Sequence, residues 1–264
     1  MLITWAMLVL VGLAAGVMGA LLGLGGGIFL VPALSILFGL PIRAAVGVSL
    51  VGVIATSAGV AASARPGGGA DTGLAMRLEL ATTTGALAAS LAAGILSPRV
   101  LSLLFAGIVL ATAAYTYRKS RRPRPTITDA TVEALFRADY RPTHWPAGLM
   151  MSSLAGVLSG LTGTGGGFIK VPVMYSIMDV PLGVATATSN FMVGVTAAAS
   201  ATVYYARGDI RPLVAVPTAL GVFAGAVFGA RLARRLPVDT LRRLLIGILI
   251  FVAAQMIWKG VKGS

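Results

Sequence analysis

The sequence predicts an all-α polytopic membrane protein made of two homologous, inverted repeats, and three observations carry that reading. Of its 264 residues 57% are hydrophobic and only 11% charged, with a mean hydropathy of +0.91, the profile of a helical membrane protein. The apolar runs are long and unbroken and lack the alternation of short membrane strands, which argues against a porin-like barrel. Finally, the stretch from Gly23 to Pro32, GLGGGIFLVP, returns 140 residues later from Gly163 to Pro172 as GTGGGFIKVP.

The repeat extends beyond the glycines in the same register. Gly16 falls on Gly156, Pro41 on Pro181, Ser49 on Ser189, Thr56 on Thr196, Gly85 on Gly225 and Gly107 on Gly247, with a small slip around Asp71 and Asp209. Three units follow: a first transmembrane repeat over 1–117, a basic linker over 118–145, and a second repeat over 146–264.

Residues 2–38 are almost wholly apolar, and a straight helix of that length would reach roughly 55 Å against a hydrocarbon core of about 30 Å. The segment must break, and Gly25, Gly26 and Gly27 are the place, because glycine adopts dihedrals closed to other residues. Residues 2–22 form the first span. No basic region precedes it, and its counterpart in the second half is internal, so it is a retained span rather than a signal peptide. A short helix over about 28–38 resumes after the glycines. Spans over 44–64, 74–96 and 100–117 complete the half, separated by Arg65–Asp71 and by Ser97-Pro98-Arg99. The second half repeats the order: 147–162, the break at Gly165, Gly166 and Gly167, a short helix at 168–178, then spans at 184–206, 212–230 and 241–258. The count is about eight full spans and two short helices. Gly221, Gly225 and Gly229, answered by Ala81, Gly85 and Ala89, have the small-residue spacing that lets helices approach closely.

The net charge of +13 would suggest nucleic acid in a soluble protein. Here the basic residues collect between apolar segments, where they set topology beside anionic lipid, so the lipid bilayer is the partner and nucleic acid is not. With five membrane elements per half the repeats are inverted. The basic linker and the loop carrying Arg231, Arg234, Arg235, Arg242 and Arg243 then share the cytoplasmic side. A parallel arrangement of four elements per half gives a slightly smaller basic excess inside. Cysteine is absent, so there is no thiolate metal site. The single histidine, His144, has no companion ligands, and its place beside Trp145 fits interfacial anchoring. No metal or other cofactor is called for.

Seven of the eight carboxylates fall in loops. Glu79 alone enters a span, by about a turn and a half, and is read as interfacial. A relay of buried acids, or an intramembrane hydrolase with its paired acid or activated nucleophile, therefore lacks its residues, and the chain is not read as an enzyme. The positive features favour an anion. Both short helices begin just after a glycine triplet, so their N–H groups and positive dipole ends face the break. Paired Gly-interrupted segments in corresponding positions are the best pointer to a transporter site. The candidate binding residues are Gly25, Gly26, Gly27 and Ser49 from the first half, and Gly165, Gly166, Gly167, Lys170, Thr188, Ser189 and Asn190 from the second. Lys170, one turn into the second short helix, either snorkels to the interface or supplies a charge to the site. Thr56, Ser57, Thr162, Thr164, Thr186 and Thr196 are further hydroxyls within reach of the spans.

Two copies of G-x-G-G-G-x-x-x-V-P, each followed by a proline turn and an A-x-x-x-S segment, in a chain of this length with a basic central linker, resemble the TauE/SafE family of sulfite and organosulfonate exporters. The resemblance covers nearly the whole chain. It implies a multi-pass carrier in the cytoplasmic membrane of a prokaryote, moving small anions such as sulfite or sulfoacetate, with the linker inside and room for a homo-oligomer. Where the copies differ, Leu30 stands for Lys170 and Leu24 for Thr164, so the second half is the more polar. A passive anion channel and a non-transporting scaffold are the competing classes.

Overall fold

A computed structural model describes residues 2–22, 25–63, 70–107 and 140–232, together with positions 110 and 254. The expected span at 241–258, most of the linker and the loop at 65–69 lie outside the described residues, apart from position 254.

Every described element of regular structure is helical. The first half contributes α1 (Leu2–Leu22), α2 (Gly27–Leu37), α3 (Ile42–Ala62) and α4 (Thr72–Ala93), then α5 (Pro98–Gly107). The second contributes α6 (Trp145–Thr162), α7 (Gly167–Ser176), α8 (Leu182–Ala206) and α9 (Pro212–Leu232). Three of these, α1, α3 and α9, are long and apolar enough to cross a membrane. The other long helices, α4, α6 and α8, carry buried polar residues inward, among them Glu79, Thr82, Ser152, Ser159, Ser189 and Thr196.

The helix ends follow local chemistry. Asp71 caps α4, its Oδ1 accepting the Leu74 N–H at 2.8 Å, the ordinary role of an N-cap carboxylate. Pro41 and Pro181 precede α3 and α8. Gly163 (φ 69°) follows α6 and Gly208 (φ 76°) follows α8, both in the left-handed conformation that commonly ends helices. At the C-terminal end of α4, Arg43 donates to the Leu96 carbonyl at 2.6 Å and Arg207 to the Ser90 carbonyl at 2.5 Å. Those carbonyls lie at the negative end of the helix, where cations are favourable.

The packing is reciprocal between halves. α1 lies along α9 and α4 along α6, while α3 meets both α9 and α8, and α8 meets α4. Small residues make these approaches possible. A methyl on Gly16 would stand 2.2 Å from the Val222 carbonyl oxygen, and one on Gly225 2.1 Å from that of Leu13. On the other pair, a methyl on Gly156 would stand 2.0 Å from the Thr82 carbonyl oxygen and one on Gly85 2.4 Å from that of Ser153. Backbones this close gain van der Waals contact that larger residues would prevent. The larger apolar core joins α2, α3, α5 and α8 around Ile28, Leu30, Leu34, Val53 and Tyr204. A smaller one gathers Leu74, Leu78, Met174, Met178 and Met192 between α4, α7 and α8.

Candidate functional site

The two glycine breaks adopt closely similar backbones. Gly25 and Gly26 have φ of 79° and 74°, and Gly165 and Gly166 have φ of 80° and 73°. Two successive left-handed residues are strained for any side chain, which is why the sequence places glycine at both. Neither N-cap, Gly26 or Gly166, supplies a side-chain bond. The helix ladder begins with Phe29 and Leu30 donating to the Gly26 carbonyl, and with Ile169 and Lys170 donating to that of Gly166. The N–H groups of Gly27, Ile28, Gly167 and Phe168 thus stand outside the ladder, at the positive ends of α2 and α7.

The two breaks touch. A methyl on Gly25 would meet Val193 Cγ1 at 2.9 Å and Val53 Cγ1 at 3.4 Å; a methyl on Gly165 would meet the same atoms at 2.6 and 2.8 Å. Val53 and Val193 occupy equivalent positions of α3 and α8, so one valine from each half lies against both breaks. Ser49 Oγ donates to the Gly163 carbonyl at 2.9 Å, with the Gly27 carbonyl at 3.4 Å. That bond ties the first half directly to the second break. A cavity of about 520 Å³ opens away from the breaks, among Gly39, Arg43, Ser102, Asp209 and Arg211.

The remaining expected site residues divide. Ser189, the counterpart of Ser49, is fully buried, and its Oγ has no hydrogen-bond partner among the described residues. Thr188 turns to the end of α4, where its Oγ1 accepts the Asp71 N–H at 2.9 Å. Asn190 receives the Ser57 hydroxyl on its backbone carbonyl at 2.6 Å. Thr164 is buried with its Oγ1 3.1 Å from that of Thr162. Around Asp71 the α3–α4 junction is pinned further by the Tyr140 hydroxyl, which donates to Asp71 Oδ2 at 2.5 Å. Burial pushes the Asp71 carboxyl up, but the Leu74 N–H, the Tyr140 hydroxyl, the Gly73 N–H and the Arg77 charge together hold it below its ordinary value. Burial pushes the Tyr140 hydroxyl up, and the Asp71 carboxylate pushes it further.

Lys170 does not snorkel. It is 1% exposed, and its Nζ lies 2.6 Å from Thr196 Oγ1 and 3.4 Å from Glu79 Oε2. Thr196 Oγ1 in turn lies 2.5 Å from Glu79 Oε1. Glu79, read from the sequence as interfacial, is buried as well: it is 7% exposed and faces the lysine. The sequence reading of Glu79 missed this contact with Lys170, because position in the sequence gives depth along a helix but not the direction of the side chain. A usable signal was present. Glu79 and Lys170 each interrupt an apolar segment, and ionisable residues in such segments pair with one another.

A profile described as Sulfite exporter TauE/SafE matches residues 8–256. The probable membrane transporter protein YunE of Bacillus subtilis is 25% identical over 98% of this chain and 99% of its own length. The probable membrane transporter protein ORF9 of a Sinorhizobium species is 39% identical over 38% of each chain. The probable membrane transporter protein MamO of Magnetospirillum gryphiswaldense is 31% identical over 39% of this chain and 17% of its own. No solved structure matches. With the profile spanning nearly the whole length, as the doubled glycine stretch led one to expect, the chain belongs to the Sulfite exporter TauE/SafE family of membrane transporters.

Proposed function

We propose that this protein is a secondary carrier that exports small anions, sulfite or organosulfonates such as sulfoacetate, across the cytoplasmic membrane of a prokaryote. Its two repeats run in inverted directions and the linker lies inside. The observation that carries the proposal is the meeting of two similarly bent glycine breaks at Val53 and Val193. Two short-helix N-termini there offer N–H groups and positive dipole ends within one buried region, an arrangement suited to an anion. Ser189, with its unpartnered hydroxyl, and Lys170 supply further donors on the second-half side. With Val53 and Val193 against both breaks, the arrangement described is closed at its centre. Alternating access would then require α3 and α8 to part there.

The reciprocal pairing of α1 with α9 and α4 with α6 supports a twofold relation between the repeats. Accessibility labelling of positions 65 and 207 tests its direction: labelling from opposite faces is expected, and labelling from the same face removes the inverted form. For transport, protein in liposomes should show saturable, counterflow-driven flux of at least one member of a panel of sulfite, thiosulfate, sulfonates and carboxylates. Ohmic currents would make it a channel, and no flux or ligand-dependent stabilisation across the panel would make it a scaffold.

A further inference from the structure

The buried Glu79–Thr196–Lys170 cluster has no charged counterpart at the first break, where Leu30 stands for Lys170 and Ala219, on α9, stands for Glu79. The same scaffold therefore closes there without an ion pair. A buried pair also gains little over apolar residues of similar volume, because desolvation offsets its attraction. In a membrane segment an ionisable pair is a functional feature first.

Its geometry shows what it can do. The Lys170 N–H bonds the Gly166 carbonyl, so the lysine is rooted in the turn that opens at the second break. Its ammonium has three protons, and its acceptors among the described residues are Thr196 Oγ1 and, more distantly, Glu79 Oε2. Thr196 has one proton to give, with Glu79 Oε1 at 2.5 Å and the Met192 carbonyl at 3.0 Å as acceptors. Thr83 donates to Glu79 Oε1 at 3.1 Å. Among the described residues, Lys170 is the charged group that faces Glu79. The helix α6 packed against α4 has no ionisable side chain, and α8 has only Tyr204 and Tyr205, at its far end. On α7, Tyr175 is exposed, and on α4 itself Arg77 lies over the Trp145 ring, 5.3 Å from its centre.

We infer that Glu79 is a proton-coupling site, and that an anion reaches Lys170 only as Glu79 takes up a proton. The inference rests on the carrier reading above. A carboxylate and a substrate anion cannot both be ionised against one ammonium in a medium of low dielectric constant without a large repulsion. When Glu79 accepts a proton its hold on Lys170 is lost, and the anion takes the ammonium in its place. On release the carboxylate gives up the proton and pairs with Lys170 again. For a monovalent anion the charge of the cluster is the same before and after, and one proton travels with each anion in the same direction.

Methanesulfonate, monovalent throughout the working pH range, is the probe, with purified full-length protein in liposomes containing a trapped pH dye. Wild-type protein should acidify the lumen in step with methanesulfonate entry. Glu79→Gln should admit the anion without acidification, and its apparent affinity should no longer depend on pH. Because Glu79→Gln leaves Lys170 without its partner, the double variant Glu79→Ala/Lys170→Leu serves as a folded control, copying Ala219 and Leu30. It should melt as the wild type does and move no protons. Acidification by either variant, or wild-type entry without protons, overturns the coupling while leaving the carrier reading intact. Absence of any methanesulfonate entry by wild-type protein overturns the coupling as well, and counterflow with the wider panel then decides whether the carrier reading survives.

Discussion

The two halves share a backbone and differ in polarity. At the first break Leu30 packs against α3, where a methyl on Gly52 would stand 2.3 Å from its Cδ1; at the second, Lys170 reaches Thr196 and Glu79. The φ angles of the two breaks nevertheless agree within a few degrees. Glycine alone is thus enough to set the bend, and the charged cluster is an addition on one side. Equivalent serines diverge in the same way, since Ser49 is spent on the Gly163 carbonyl while Ser189 keeps its hydroxyl unpartnered.

The largest effect should come from the feature the halves share. Gly26→Val and Gly166→Val should each reduce counterflow at least ~100-fold, about 2.7 kcal/mol, with the variants still inserted and monodisperse. A side chain would be strained at those φ values and, at Gly166, would also stand 2.8 Å from the Ala155 carbonyl oxygen. Loss in only one variant would reduce the paired site to a single break.

The next effect separates the halves. Lys170→Met strands the buried Glu79 carboxylate and should lower unfolding stability by about 3–5 kcal/mol, whereas Leu30→Met should cost less than about 1.5 kcal/mol. Chemical unfolding in detergent compares them, and equal losses would mean the ion pair is not formed.

Smaller again, Ser189→Ala should weaken anion binding about tenfold, or about 1.4 kcal/mol, with an unchanged melting temperature. Ser49→Ala should instead lower stability by about 0.5–1.5 kcal/mol through its lost bond. Calorimetric binding and melting read on both variants sharpen the contrast, and a reversed pattern would move the anion to the first half.

The smallest expected effect lies at the α3–α4 junction. Tyr140→Phe should cost about 1 kcal/mol. Because the Asp71 carboxyl is held below its ordinary value of 3.8, the stability it contributes is present above that value and is lost as the pH falls through the folded one. Stability should therefore fall less on acidification in Asp71→Asn than in the wild type.

Helix positions were legible because the glycine triplets and proline turns mark the ends of apolar runs, and α2 and α7 begin within a residue of where the triplets end. The small residues at Gly221, Gly225 and Gly229 likewise pointed to a packed face, which the Val9, Leu13 and Val17 carbonyls occupy. What the sequence left open was direction around the helix axis. Thr188 and Ser189 are adjacent in the chain, yet one serves the α4 cap and the other lies buried without a partner, because successive residues on a helix point about 100° apart. Val53 and Val193 were invisible for a different reason. They are ordinary apolar residues in apolar helices, and only the crossing of α3 and α8 gives them a place.

The pairing of α1 with α9 also bears on how the chain is made. The helix α1, made well before its partner, carries glycines, Gly12 and Gly16, whose closest contacts are carbonyls of one of the later helices. Until then α1 sits in lipid with a bare groove, and so does α4 until α6 arrives. A first half synthesised alone should remain unsettled, or borrow the missing partners from another copy of itself. Co-expression of the two halves as separate chains should restore a protein that neither forms by itself.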